Sequence, residues 1–204
     1  MTNQTLAIRG LVASLFSLFL AACNDTTPPP SAIEQLADEY LEAWMEEDAL
    51  MGTYYAIEGT RHDRLPDNSL SGLAAWQEKV DAWLARLERI PAPTEIGSRD
   101  WVTYGLLKEQ LESAASTRVC RDELWAASTT TSWHTWVPFV FDIQPLQTPD
   151  LRAQALSRLS AVPAYIDNEI DNLREGLRLG YSAPRVTVEP VPAQVRSLIG
   201  PDSI

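Results

Sequence analysis

Histidine is scarce in this sequence, and the motifs of most catalytic sites are missing. The 204 residues include two histidines, His62 and His134. A zinc site that takes several histidines, such as a His-Glu-x-x-His helix, cannot be built from them. There is no glycine-rich phosphate loop and no Gly-x-Ser-x-Gly nucleophile elbow. The sequence therefore predicts no catalytic residues, no metal ligands and no cofactor in this chain.

The amino-terminal apolar run is too short to span a membrane. It extends from Leu11 to Ala22, interrupted by two serines, and follows Arg9, the single charged side chain before it. A transmembrane helix needs about 20 apolar residues, whereas the apolar core of a secretory signal has roughly 7 to 15. Residues 1–22 are therefore predicted to be a signal peptide.

The end of this run predicts a lipid anchor. Leu20-Ala21-Ala22-Cys23 has the pattern of a bacterial lipobox, in which the cysteine thiol receives a diacylglycerol and its freed amine a further acyl chain. Two or more chains anchor a protein stably. Asn24 is not the aspartate that marks inner-membrane retention, so we expect the periplasmic face of the outer membrane. Residues 23–30, with three consecutive prolines, form a predicted tether, and residues 31–204 a predicted helical domain.

Cysteine is as scarce as histidine. If Cys23 carries lipid, Cys120 remains alone and cannot form an intrachain disulfide. A lone thiol in an oxidising compartment is usually buried, so Cys120 is expected to be buried and inert. A nucleophilic role would require a histidine partner, and nothing in the sequence places His134 beside it.

Positive charge is in short supply. The formal net charge is −12. Because a negative surface repels phosphate backbones and anionic headgroups, nucleic-acid binding is not expected, and the lipid anchor is the predicted membrane contact. The remaining expected partners are a further carboxy-terminal part of the protein or another envelope protein.

The apolar pattern predicts a mainly α fold, with six or seven helices and little or no sheet. Ser31, Ser98 or Asp100, and Thr148-Pro149-Asp150 have the pattern of helix starts, and Gly180 that of a stop. A loop is predicted over 51–68, a new helix from Pro163 and an extended segment over 185–189. The helix from Thr148 carries Leu151, Leu156 and Leu159, and the one from Pro163 is expected to turn Ile166, Ile170, Leu173 and Leu177 inward.

Two segments are candidate contact surfaces. The loop residues Arg61, His62, Asp63 and Arg64 can bind a ligand, or they can hold the loop in place through salt bridges. The aromatic-rich stretch 133–141 can pack on the core or line a groove. The sequence leaves both alternatives open.

Several segments together resemble a known family. They are Met51 to Gly59, Arg61-His62-Asp63, Leu65 to Ser69, Arg121 to Trp125, Thr148-Pro149-Asp150, Arg158-Leu159, Val162 to Asp167, Asn172 to Gly176 and Gly180 to Arg185. Their order is similar to the amino-terminal part of domain-of-unknown-function family 885. The resemblance covers roughly residues 32–200 and implies a largely helical, metallopeptidase-like lipoprotein. Gly59, Arg61, Arg174, Gly176 and Arg185 match the pattern and are expected to be structural.

The resemblance implies zinc only for full-length relatives. Their His-Glu-x-x-x-Gly-His-type motif comes much later in the chain and has no matching positions here. Three hypotheses follow. The chain is the truncated front part of a metallopeptidase-like lipoprotein, a complete small binding lipoprotein with an envelope partner or ligand, or a non-functional remnant. The first is preferred.

Overall fold

The computed structural model describes residues 29–200. Within that range the helices are α1 (Ala32–Glu47), α2 (Ala49–Tyr54), α3 (Leu70–Leu87), α4 (Arg99–Ser116), α5 (Trp133–Ile143), α6 (Pro149–Leu179), α7 (Arg185–Val188) and α8 (Val191–Leu198). Two 3₁₀ turns, Thr117–Cys120 and Asp122–Leu124, join α4 to the following loop. Residues 29–200 contain no strand, so the prediction of a mainly α fold is confirmed. None of these helices is long and apolar enough to cross a bilayer.

The predicted signal peptide, Cys23 and the tether up to residue 28 lie outside the described residues. From Ser31 onward the chain forms one compact unit.

Hydrogen-bonding side chains fix the predicted helix starts. The Ser31 hydroxyl accepts from the Glu34 backbone N–H at 3.2 Å, and the Glu34 carboxylate accepts from the Ser31 N–H at 2.9 Å, which completes a capping box. The Ser98 hydroxyl caps α4 by accepting from the Trp101 N–H, and the Thr148 hydroxyl caps α6 by accepting from the Leu151 N–H. At its carboxyl end, α6 stops at Gly180, whose φ of 88° lies in the left-handed region.

The apolar core consists of two clusters. In the larger one, α1, α3 and α4 pack through Ile33, Leu36, Val80, Trp83, Leu87, Leu107 and Leu111. The smaller one joins α2 to α5 through Leu50, Val137 and Val140, and Val162 and Tyr165 of α6 lie against it.

Two helices lie where the sequence predicted none. Where the sequence predicted a loop from residue 51, α2 follows α1 after a single residue, because the Asp48 carboxylate accepts from the Met51 N–H and starts a new helix. The aromatic-rich stretch forms α5, although Pro138 lies inside it. Packing of Val137 and Val140 in the core outweighs the weak local signal.

The predictions for α6 and α7 were partly wrong. Pro163 does not begin a helix, because α6 continues through it from Pro149 to Leu179. The segment 185–189 contains the single helical turn α7 and is not extended. Cys120, expected to be buried, is exposed.

Much of the apolar stripe of α6 faces solvent, contrary to expectation, whereas Leu151, Ile166 and Leu173 are half-buried. Leu156 is 65 % exposed and Leu177 is 68 % exposed, and Leu159 and Ile170 are exposed as well. The buried positions of the same helix are polar, with Arg158 at 0 % and Asn172 at 4 % exposure. The hydrogen bonds of this polar face, together with the packing of Val162 and Tyr165 on the smaller cluster, hold α6 to the rest of the unit.

Candidate ligand-binding site

A cavity of about 420 Å³ lies among α1, α3, α6, the second 3₁₀ turn and the start of α5. Its walls are Trp44, Glu47, Asp48, Pro66, Asp67, Asn68, Leu73, Trp76, Asp122, Glu123, Ala126, Thr131, Ser132, Trp133, Tyr165, Glu169, Asn172 and Leu173. The volume falls in the range of pockets that hold small molecules.

The cavity wall is strongly acidic. It carries six carboxylates and no lysine, arginine or histidine. Glu47 pairs with Lys79 at 3.9 Å, and Glu123 pairs with Arg121 at 2.6 Å. The other four carboxylates form no ion pair with any residue that the structure describes; they are Asp48, Asp67, Asp122 and Glu169. The cavity therefore has an excess of negative charge.

Burial has raised the pKa of three of these acids. Desolvation raises the pKa of Asp48 and of Glu169. It also raises the pKa of Glu47, with Lys79 acting against it and Asp67 and Asp48 adding to it. The pKa of the Tyr165 phenol is raised as well, by burial first and then by Glu169 and Asp48. Carboxylates that pay a desolvation cost in a cavity mark a candidate functional site.

Four aromatic rings share the cavity with the acids, from Trp44, Trp76, Trp133 and Tyr165. At the rim, the ammonium of Lys79 lies 5.6 Å from the centroid of the Trp76 ring, a cation–π distance. This combination of carboxylates and aromatic faces favours positively charged ligands and disfavours anions.

Asn68 fastens one wall of the cavity to α6. Its Nδ2 donates to the Tyr165 carbonyl at 2.9 Å and to a Glu169 carboxylate oxygen at 2.8 Å. The Asn172 Nδ2 donates to the Asn68 carbonyl at 2.8 Å. These buried bonds hold the Glu169 carboxylate and the Asn172 side chain at fixed positions in the wall.

Two close approaches shape the opposite walls. A Cβ on Gly72 would overlap the side chain of Asp67, and a Cβ on Gly176 would overlap the carbonyl oxygen of Leu124. Glycine therefore lets α6 contact the second 3₁₀ turn. Arg121, which precedes that turn, has a φ of 50° and a ψ of 43°, a left-handed conformation that costs a residue with a Cβ about 1–2 kcal/mol. The turn presents Asp122 and Glu123 to the cavity.

The loop of Arg61 to Arg64 lies over Arg158, nearer the start of α6 than the cavity residues of that helix. The Arg158 guanidinium is completely buried and uses all five of its N–H groups. It donates to the carbonyl oxygens of Ala49, Arg61 and Arg64, to the hydroxyl of Thr53 and to the side-chain oxygen of Gln144, at 2.8 to 3.3 Å. No carboxylate contacts it directly. Burial lowers its pKa to about 10, so it stays charged at neutral pH.

The four candidate loop residues are held by their neighbours. Asp63 pairs with Arg61 at 2.5 Å and with Arg64 at 3.3 Å, and Arg64 also pairs with Glu46 at 2.6 Å. The His62 Nδ1 hydrogen-bonds to the Thr53 hydroxyl at 2.9 Å, and its pKa is lowered, first by burial and then by Arg158. These contacts describe the salt-bridged alternative; a ligand role for the loop stays a prediction.

The aromatic-rich stretch both packs on the core and lines the cavity. Val137 and Val140 are core residues, whereas Trp133 lies in the cavity wall. Trp136 and Phe139 stack with Tyr54 on an exposed face. The structure thus brings this stretch to the cavity but places the loop 61–64 elsewhere.

His134 is buried, whereas Cys120 is exposed. His134 is 2 % exposed, and its Nε2 lies 3.0 Å from the side-chain oxygen of Gln194. Among the described residues, no three His, Cys, Asp or Glu side chains come together as a possible metal-binding group.

Comparison with protein families agrees with the resemblance seen in the sequence. Residues 49–203 match a family described as a bacterial protein of unknown function (DUF885). The chain belongs to this family. Comparison with curated proteins gives no match. Of the residues expected to be structural in DUF885, Gly59 has a positive φ of 82° and Gly176 is buried, while Arg61, Arg174 and Arg185 form surface ion pairs.

Sequence reasoning missed the cavity acids and Arg158. A signal was present, because Thr148 and Pro149 fix the start of α6. Counting from there, Arg158, Tyr165, Glu169 and Asn172 share one face at the 3.6-residue period. Apolar periodicity instead points to the face that carries the leucines, most of which are exposed.

Proposed function

We propose that this chain is the amino-terminal helical part of a lipid-anchored, metallopeptidase-like DUF885 protein of the cell envelope, whose catalytic residues lie outside these 204 residues. Cys23 carries the anchor, and the outer membrane is the site of attachment. The helical unit acts as a docking and shaping module for the part that binds zinc.

The exposed stripe of α6 carries this proposal. Leu156, Leu159, Ile170 and Leu177 lie along one side of a 31-residue helix and are all exposed. Several exposed apolar side chains on one side of a helix mark a surface that another protein surface can cover. Because the helix is already anchored through its polar face, the stripe is free to receive a further part of the same protein.

Cysteine accessibility in the native envelope tests this proposal. In a Cys120→Ser background, Leu159→Cys and Leu177→Cys should resist a membrane-impermeant maleimide, while Glu109→Cys on the exposed side of α4 should react. Equal labelling of all three would overturn the covered stripe. For the anchor, metabolic labelling with an alkyne fatty acid should tag the wild type and leave Cys23→Ala untagged.

A second candidate function is binding by the unit itself, as a small lipoprotein with an envelope partner or ligand. The acidic, aromatic cavity favours it, since this site is complete within the described residues. The exposed ring cluster of Tyr54, Tyr55 and Phe139 offers a contact surface for a partner protein.

A further inference from the structure

We propose that an aromatic patch on α2 and α5 rests on the surface of a zwitterionic phospholipid bilayer, as a second membrane contact beside the lipid anchor. The inference rests on the proposed anchor at Cys23, because the anchor is what brings the unit to a bilayer. The aromatic patch consists of Tyr54, Tyr55, Trp136, Phe139, Ile143 and Leu146.

The rings of the aromatic patch form one continuous surface. The Tyr54 ring centroid lies 4.9 Å from that of Tyr55 and 5.1 Å from that of Trp136. The Phe139 centroid lies 6.0 Å from that of Tyr54 and 5.6 Å from that of Trp136. Ile143 follows Phe139 by four positions and so shares its face of α5. Tyr55 is 60 % exposed, and Phe139 and Ile143 are 41 % exposed, so the surface is open to a partner.

Charge is nearly absent from the two helices of the aromatic patch. The helix α2 has no charged residue, and α5 has Asp142 besides the buried His134. The whole chain, by contrast, has a formal net charge of −12, which repels anionic headgroups. The aromatic patch is therefore a surface at which this acidic unit can approach a bilayer, and a zwitterionic bilayer adds no net repulsion.

The residue types of the aromatic patch distinguish it from the stripe of α6. Tyrosine and tryptophan join an apolar ring to a polar atom, a combination that is enriched at the interface between membrane and water. The exposed stripe of α6 is aliphatic instead, with Leu156, Leu159, Ile170 and Leu177. The stripe suits burial against another protein surface, whereas the aromatic patch suits the headgroup layer of a bilayer.

The length of the predicted tether keeps the unit near the bilayer. Ser31 follows Cys23 by eight positions, and a fully extended chain of that length covers at most roughly 29 Å. The 16 residues of α1 span about 24 Å, and α2 follows after Asp48 alone. An anchor this close gives the aromatic patch a high effective concentration at the bilayer surface, so a weak intrinsic affinity is sufficient for contact.

Fluorescence quenching on vesicles tests the proposal with the mature lipidated protein. The vesicles contain phosphatidylcholine and phosphatidylethanolamine, with and without a lipid that carries a doxyl quencher near its headgroup. In a Cys120→Ser background, a thiol-specific dye is placed at Tyr55→Cys or, as a control on α4, at Glu109→Cys. Interfacial side chains enter a bilayer by roughly 5–10 Å, so quenching at position 55 should exceed that at position 109 by about fivefold. Equal quenching at the two positions, or none at position 55, would overturn the proposal.

Flotation of the same vesicles separates this inference from the anchor. A wild-type protein that stays behind when the vesicles float would refute the anchor and this inference together. A protein that floats while the dye at position 55 is unquenched would refute the bilayer contact alone. If Tyr55→Cys then resists a membrane-impermeant maleimide in the native envelope, the aromatic patch binds a partner protein instead.

Variants identify the side chains that make the contact. With the dye moved to Ile143→Cys, Tyr55→Ser or Phe139→Ser should lower the quenching roughly threefold, because each removes a large ring from the bilayer surface. Ile96→Ser is the matched control, since Ile96 is 82 % exposed but lies between α3 and α4. It should leave the quenching unchanged, and melting curves confirm the fold of each variant. Equal quenching in all three variants would refute the role of the aromatic patch.

Discussion

The Nε of Arg158 donates a hydrogen bond to the carbonyl oxygen of Arg64 at 2.9 Å, although 94 positions separate the two residues. The other four N–H groups of the same guanidinium reach α2, Arg61 and Gln144. The direct hydrogen-bond partners of this buried cation are thus all neutral oxygens, while the carboxylates of Asp63 and Asp48 favour its charged form from a distance. It connects the loop, α2 and the end of α5 to α6, and so it fixes the helix whose next turns form a cavity wall.

Arg158→Lys should destabilise the fold by roughly 2–4 kcal/mol. An ammonium has three donors in place of five and no planar fork, so at least two buried oxygens lose their partner, at about 1–3 kcal/mol each. Urea unfolding measures the loss. Arg174→Lys, on an exposed part of the same helix, is the control and should change stability by less than about 0.5 kcal/mol. Similar values for the two variants would refute the role of Arg158.

Gly176→Ala should destabilise by about 1–3 kcal/mol, because the new methyl group overlaps the Leu124 carbonyl and pushes the second 3₁₀ turn away from α6. Gly105→Ala is a control of opposite sign. No atom lies within 4 Å of the position that its Cβ would take, so it should stabilise α4 by roughly 0.5–1 kcal/mol. Thermal melts of both variants check the prediction, and a stabilised Gly176→Ala would contradict the close contact.

Glu169→Gln should stabilise the fold at neutral pH. Burial raises the pKa of Glu169 above its ordinary value of 4.5. The stability that this group contributes is therefore present below pH 4.5 and is lost as the pH rises through its higher folded-state pKa. Glutamine stays neutral, so the variant should have the larger free energy of unfolding at pH 7, and the difference should vanish near pH 4. Urea unfolding at the two pH values measures this difference in the free energy of unfolding. A variant that is less stable than the wild type at pH 7 would show that the buried carboxylate does not destabilise the fold.

The purified 204-residue chain should hydrolyse no peptide. It has two histidines, and they lie in separate environments, His62 against Thr53 and His134 against Gln194. Incubation with a peptide panel, with and without added zinc and with a chelator as control, checks this. Chelator-sensitive hydrolysis by the chain alone would contradict the proposal that the catalytic residues lie elsewhere.

Local signals predicted the starts of α1, α4 and α6 and the end of α6, but they missed α2 and the buried face of α6. The helix start predicted at Ser31 is confirmed by its capping box, and in α1, α3 and α4 the buried face is apolar. In α6 the buried face is polar, held by Arg158 and Asn172, and no rule of apolar periodicity selects it. The helix start predicted at Pro163 was wrong for a related reason, because tertiary contacts of α6 outweigh the loss of one helical hydrogen bond at the proline.

The cavity could not be predicted because its acids are far apart in sequence. No local sequence pattern marks Asp48, Asp122 or Glu169 as members of one site. The three acids come together only through the packing of α6 against the second 3₁₀ turn. The loop of Arg61 to Arg64 was noticed for its dense charges, which pair largely with one another.

The size of the native protein in the cell envelope tests the central proposal most directly. Blotting of the envelope fraction with an antibody against residues 31–60 should reveal a lipid-labelled band far larger than the 22.7 kDa of this chain, with a further part that covers the α6 stripe. A single band near 22.7 kDa would contradict that account and would make the unit itself, with its acidic cavity, the functional protein.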